Sequence, residues 1–427
     1  MSPSGIPSLL PSAYMLALAL LLLAPLALGG VALINTGLGR SRSAAQSLLG
    51  SLAVVSVAVI AFALASGFAD GSSGHVFQFA GKPWNWLGNG PFVLRGLSLA
   101  SPHEQIAVLF ELLSVAMLVL IAWGSGAERF RLAGGIATAA ILAVIIFPIA
   151  AHWIWGGGWL EQLGVNFSIG GGFIDPGGAS AIHALGGLSA LVVVWLSGSR
   201  KSKFPKEEVS TAMPGHCAVF VLFGCFLALV GWLAWNAAGA LLWLGAAPSI
   251  LPVVAVNTLL AAAAGLAGTF AVTRFRFGKP DASLCANGWL AGLVTSSACA
   301  ALANPAESLL VGLVAGIFTP LLVEMLELAF SIDDPSGAIT VHGASGLWGL
   351  FAAGFFGPEP GQVLAQLIGI ATLLGFLLPV SYLLLAMLNR VISFRADADG
   401  ERLGMDLHEL GGGAYPEFVI HRDDPYR

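Results

Sequence analysis

Apolar runs of about 20 residues, each long enough to cross a bilayer as a helix, recur along this whole chain, and no other feature restricts its fold as severely. Read between polar and glycine- or proline-rich breaks, they give eleven expected spans. These lie at about 12–34, 45–68, 105–124, 132–154, 178–197, 215–238, 251–272, 284–301, 308–330, 338–356 and 361–388. The run at 284–301 is short and rich in alanine, glycine and serine. Composition points the same way. With 57% hydrophobic and 10% charged residues among 427, against about 25% charged in soluble domains, the chain cannot cover a soluble surface of its size. A soluble enzyme, a nucleic-acid binder and a disordered protein are excluded. The first apolar run follows a stretch without Lys or Arg, so the basic start of a cleaved signal peptide is missing and a retained first helix is expected. Cys217, Cys225, Cys285 and Cys299 form no CxxC pair and read as apolar packing residues.

The placement of basic residues tests the span count independently. Alternate loops hold Arg40 and Arg42; Arg129 and Arg131; Arg200, Lys201, Lys203 and Lys206; then Arg274, Arg276 and Lys279. The tail adds Arg390, Arg395, Arg402, Arg422 and Arg427, which puts 16 of the 18 basic residues on one side and leaves Lys82 and Arg95 for the other. The positive-inside rule makes the crowded side cytoplasmic, with the N-terminus out, the C-terminus in and an odd number of spans. The net charge of −5 says less than this asymmetry. Residues 1–390 are expected to form the transmembrane domain and 391–427 a cytoplasmic tail, flexible or conditionally docked around Gly411-Gly412-Gly413. The long loop 69–104, with Trp84 and Trp86, is expected to fold over the outer mouth.

Two segments align without gaps. Asp175-Pro176-Gly177-Gly178-Ala179-Ser180-Ala181-Ile182-His183 and Asp334-Pro335-Ser336-Gly337-Ala338-Ile339-Thr340-Val341-His342 share the pattern D-P-x-G-A-x-x-[IV]-H, and each is followed by x-x-x-G-L. Each reads as a helix start, with Asp as cap and Pro at the first helical position. Five spans separate the copies, an odd number, so the repeats are inverted, and inverted repeats place a site near the midplane where the halves meet. Each histidine stands eight residues past its Asp, about 12 Å of helical rise, so His183 and His342 converge on the bilayer centre from opposite faces. As a zinc site the pair lacks a third protein ligand. His75, His103, His152, His216, His408 and His421 read as solvated or interfacial.

At these residues the chain resembles the ammonium transporter/Rhesus family. The resemblance also rests on Ala127-Glu128-Arg129, AHWIWGGGWL at 151–160, GWLAWNAAG at 231–239, DDPSGAITVHGASGLWG at 333–349 and GMD…AY at 404–415, all in the family's order. It implies an all-α polytopic protein of eleven transmembrane helices, two inverted five-helix repeats plus a C-terminal helix. It further implies a narrow central pore in each subunit of a homotrimer in the cell membrane, and ammonium uptake or ammonia conduction. His183 and His342 match the family's pore histidine pair, Asp175 the carboxylate under the outer recruitment site, and Trp155 the aromatic facing the incoming cation. Trp235 falls where the family has its inner gate phenylalanine. The outer gate phenylalanine falls on Ser114, the serine that accepts a hydrogen bond from the cation falls on Gly239, and FYGGL reads Ile34-Asn35-Thr36-Gly37-Leu38. A P-II-type regulator on the cytoplasmic face is expected from the tail, although the family's usual His is Leu410 here.

The chemistry these residues allow is coherent. Trp155 and Trp235 offer cation–π attraction, and Asp175 lends a cap and negative charge together. A bare cation is costly to move through hydrocarbon, whereas an imidazole pair can take the proton and let ammonia cross separately. Potassium has no proton to give up. The altered outer residues keep two alternatives in view, an ammonium sensor without turnover and a neutral-gas channel. No nucleophile–base pair, metal constellation or cofactor motif is read, so an enzyme is not expected. One expectation comes from outside the resemblance. Glu111 shares a helix face with Ser114 at i and i+3, so its carboxylate is expected beside the outer vestibule, with pairing elsewhere as the alternative.

Overall fold

The computed structural model describes residues 11–69, 74–205 and 210–415, so Lys206, His421, Arg422 and Arg427 lie outside the described residues. Among those described, ten helices are long and apolar enough to cross a membrane. They are α1 (Pro11–Leu38), α2 (Ser41–Phe68), α3 (Pro102–Ser125), α4 (Leu132–Trp155), α5 (Ala179–Ser197), α6 (Ala218–Leu244), α7 (Pro248–Phe277), α9 (Pro305–Phe330), α10 (Ile339–Phe356) and α11 (Gln362–Val391). The run expected at 284–301 forms a further helix, α8 (Ala282–Cys299). Asn287, Thr295, Ser296 and Ser297 make it less apolar than the others, and all four are buried among its neighbours.

Local signals set the boundaries. Ser101 and Asn304 open α3 and α9 with capping boxes closed by Glu104 and Glu307, each with Pro at the first turn. Asp281 caps α8 by accepting from the Leu284 N–H. Both α4 and α11 carry a π turn, Leu142–Ile146 and Leu373–Leu377, directly before Phe147-Pro148 and Leu378-Pro379. A proline inside a helix lacks an N–H and clashes one turn back, and a π turn is a local way to absorb that.

The 69–104 loop contains the hairpin β1 (Val76–Phe79) and β2 (Lys82–Asn85). It packs beside the expected mouth: Trp84 is buried on Trp159 and Phe167, and Trp86 stacks on Trp159. On the opposite end of the helices the tail is docked as far as Tyr415. Asp406 accepts from the Ala45 and Gln46 N–H groups at the start of α2, and Glu409 from the Leu132 N–H that opens α4. Tyr415 meets His216 Nε2 at 3.0 Å.

Beneath the tail lies a buried ionic network. Arg200 forms paired hydrogen bonds with Asp333, at 2.9 and 2.8 Å, and reaches Glu128 at 2.6 Å. Arg40 pairs with the other Glu128 oxygen. Arg129 is fully buried and donates to the Gly198 and Asp333 carbonyls. Burial alone would raise the Asp333 carboxyl, but the hydrogen bonds from Arg200 and the charge of Arg129 hold it down at about 2.

Candidate functional site: a histidine pair between two mouths

Each repeat motif builds the same device. The π turns Ala179–Ala184 and Ile339–Ala344 open α5 and α10, and each contains its histidine. Asp175 accepts from the Ala179 and Ser180 N–H groups, both at 2.7 Å, and from the Ser180 hydroxyl. Asp334 accepts from the Ile339 N–H at 2.7 Å and the Ser336 hydroxyl at 3.1 Å. Gly178 and Gly337 supply the left-handed backbone before each turn, with φ of 82° and 70°, a conformation glycine adopts freely.

The two helices then meet backbone to backbone. A Cβ at Gly187 would overlap the Gly343 backbone, and one at Gly346 would lie 2.7 Å from the Ala179 carbonyl oxygen. Position 187 meets 343 while 346 meets 179 and 184, so the crossing is antiparallel, as inverted copies require. Small residues permit such an approach in membrane helices. It leaves the rings of His183 and His342 buried with Nδ1 atoms 3.3 Å apart. His183 also stacks on Trp232 at 4.9 Å and 14°, and Trp232 is anchored by donating to Ser297 Oγ at 3.0 Å. In a neutral pair with facing Nδ1 atoms, one ring donates its N–H and the other accepts. The donor ring then has a bare Nε2 and the acceptor ring a protonated one.

On the Asp175 side lies a cavity of about 220 Å³ whose lining includes Trp155, Glu161, Phe173, Asp175 and Trp243. Trp155 and Trp243 stack at 5.3 Å and 9°, and the Trp155 N–H donates to the Asp175 carbonyl at 2.8 Å. Phe110 meets Trp155, Trp243 and Trp235 edge-on at 5.4, 5.7 and 5.8 Å. On the Asp334 side a cavity of about 610 Å³ is bounded by Asn287, Asp333, Asp334 and Thr340 among others.

Ser114, Gly239 and Glu111 are all buried. Ser114 is fully buried and donates to its own helix at the Phe110 carbonyl, 2.7 Å away, so α3 presents Phe110, one turn earlier, to the aromatic cluster. Gly239 faces the Pro176 carbonyl oxygen so closely that any Cβ would overlap it; the backbone fills the place of a serine. Glu111 is buried in α3 and is not among the residues lining the Asp175 cavity. The glutamate that does line it is Glu161, whose carboxyl burial raises to about 7 while the Gly157 N–H, at 2.8 Å, pulls the other way.

The model of the Ammonium Transporter Family matches residues 13–415. The chain belongs to the ammonium transporter family. It is 32% identical over 415 residues to ammonium transporter Amt2 of Archaeoglobus fulgidus, covering 91% of this chain and 85% of the relative. To an ammonium transporter of Bacillus subtilis it is 28% identical over 405 residues, covering 91% and 94%. Its fold matches a solved sensor Amt protein with a TM-score of 0.84 at 24% identity, over 93% of this chain and 98% of that one. It also matches Mep2 of Candida albicans at 0.78 and 22%, over 98% and 93%. At those identities the two structures speak for the fold alone. This ammonium transporter family member is therefore a polytopic, mostly helical protein of the cell membrane, in a family of transporters rather than enzymes.

Sequence reading of this family member passed over Phe110, Trp232, Trp243 and Glu161. Trp232 and Trp243 had a usable signal, because they stand three residues before and eight after Trp235 on one helix and so share its face. Phe110 and Glu161 had none, since their places depend on how distant segments pack.

Proposed function

We propose that this protein is an ammonium transporter in which ammonium, recruited at the Asp175 mouth, gives up its proton to the histidine pair while ammonia passes beside it. The observation that carries this reading is the buried Nδ1–Nδ1 contact of His183 and His342 at the antiparallel crossing. A proton arriving at the bare Nε2 of one ring shifts across the shared N–H bond and leaves from Nε2 of the other. Ammonia and the proton then recombine at the Asp334 mouth, so one charge accompanies each nitrogen. The topology that goes with this is eleven spans, N-terminus out and C-terminus in, which sets the Asp175 mouth outside and the ionic network in the cytoplasm. The assembly proposed with it is a homotrimer with one pore per subunit, and a P-II-type regulator would act on the cytoplasmic face, beside the tail. Uptake of ammonium and charge, measured together on proteoliposomes, should give a ratio near one; ammonia flux without charge would instead favour a neutral channel.

The packed aromatic cluster over the Asp175 mouth favours one second reading, a sensor that binds ammonium without turnover. Binding without current would establish it.

Two variants probe the mouths. Asp175→Ala should reduce transport more than Asp334→Ala, because Asp175 lines the entry cavity beside Trp155, whereas Asp334 caps the cytoplasmic side. Equal losses at equal expression would mean that both act only as helix caps. Gly239→Ser, which restores the family's hydroxyl, should lower the thermal midpoint and leave ammonium affinity no better, because its Cβ meets the Pro176 carbonyl. An improved affinity with unchanged stability would show that α6 yields there.

A further inference from the structure

Glu161 takes no part in the helix caps, the histidine pair or the ionic network. It lines the cavity that also holds Asp175, Trp155 and Trp243, just after the turn that ends α4. One of its oxygens, Oε2, is fixed by the Gly157 N–H at 2.8 Å. Its backbone is held as well: its N–H donates to the Trp153 carbonyl, and its own carbonyl lies so close to Gly172 that a Cβ there would overlap it. The side chain is therefore placed by both backbone and hydrogen bond. Asp175, by contrast, has both carboxylate oxygens committed to the cap of α5. Ammonium has only donors to offer and must find acceptors, and the serine hydroxyl expected at position 239 is replaced by glycine.

We propose that Glu161 is the specificity-determining acceptor of this mouth, presenting Oε1 to a small protonated amine held against Trp155 and Trp243. The inference rests on the ammonium reading of the pore and adds the group that recruits the cation. Burial holds the Glu161 carboxyl near 7, so its charge changes over the range in which ammonium itself stays protonated. Above that value the carboxylate is ionised and attracts the cation; below it the group is neutral and the attraction is lost. Binding is thus expected to tighten as the pH rises from about 6 to about 8. Other titratable groups border the same segments. His152 lies behind Gly158 with Nδ1 on the Ala69 carbonyl, Asp175 shares the cavity, and exposed Glu359 sits beside Gly171. Their influence remains when Glu161 is replaced, which separates them from it.

The test is ammonium titration of the purified protein followed by tryptophan fluorescence, for the natural chain, Glu161→Gln and Glu161→Asp, with transport current recorded in parallel. Glu161→Gln should weaken binding by roughly five- to ten-fold and flatten its pH dependence, as expected for removing a charge-assisted acceptor from a part-buried site. Glu161→Asp, which keeps the charge, should retain the pH dependence. Equal affinity and equal pH dependence in the natural chain and Glu161→Gln would overturn the proposal, as would an absence of ammonium binding by the natural chain. Binding that responds to Glu161→Gln while no variant carries current would leave Glu161 as the acceptor and overturn transport instead.

Discussion

His183→Ala and His342→Ala should each reduce ammonium-driven current by roughly 100-fold or more, the usual scale for losing a positioned proton carrier, while the protein still folds. Either change breaks the single Nδ1–Nδ1 contact through which a proton can pass. The remaining imidazole keeps its place, because both rings stack toward Trp232. Folding is spared because these rings sit in π turns whose backbone is fixed by the Asp caps and by the Gly187–Gly343 approach. A variant that still moves ammonia without charge would be uncoupled rather than dead, which also fits a proton relay. Full current in both variants would assign the pair a packing role only.

The second large effect falls on stability. Arg200→Ala leaves Glu128 and Asp333, with side chains only 2% and 1% exposed, without their shared cation. Removing one partner of a buried ion pair costs about 3–5 kcal/mol, and Arg40 on Glu128 and Arg129 beside Asp333 offset only part of it, so the thermal midpoint in detergent should drop sharply. Neutralising both carboxylates as well, with Glu128→Gln and Asp333→Asn, should deepen the loss, because it leaves the fully buried Arg129 without its counter-charge. The Asp333 carboxyl adds a pH signature. Its folded value of about 2 lies below the ordinary carboxylate range, so its contribution is complete above that range and is lost as the pH falls from about 4 through about 2. An Arg200→Ala protein as stable as the natural chain would show that this network is solvated in the membrane-bound protein.

How much of this was legible in the sequence follows from the range of the forces involved. Hydropathy is a local property, so the apolar runs matched helices closely, and even the weak run at 284–301 became α8. The histidine pair was legible because an inverted repeat encodes a long-range relation in two local copies. The mouth was not. Ser114 and Phe110 share one helix face, so which of them meets Trp155 and Trp243 depends on the level of α3 along its axis against α4 and α6. Gly239 looked like a lost ligand, but the reason for glycine there is a carbonyl from Pro176, and carbonyl positions leave no mark on composition. Glu111 and Glu161 were equally visible as carboxylates in apolar surroundings, and only the fold of the segment after α4 chooses between them. Glu128 and Asp333 stood next to recognised motifs, yet their shared arginine, Arg200, was counted only as one more positive charge on the cytoplasmic side.

The central claim is that this pore moves charge because ammonium can surrender a proton to the histidine pair. The most direct measurement is the current that purified protein in proteoliposomes gives to a pulse of ammonium and to an equal pulse of potassium. A current with ammonium, abolished in His183→Ala, and none with potassium is the expected result. No ammonium current from the natural protein, or a potassium current of similar size, would contradict it.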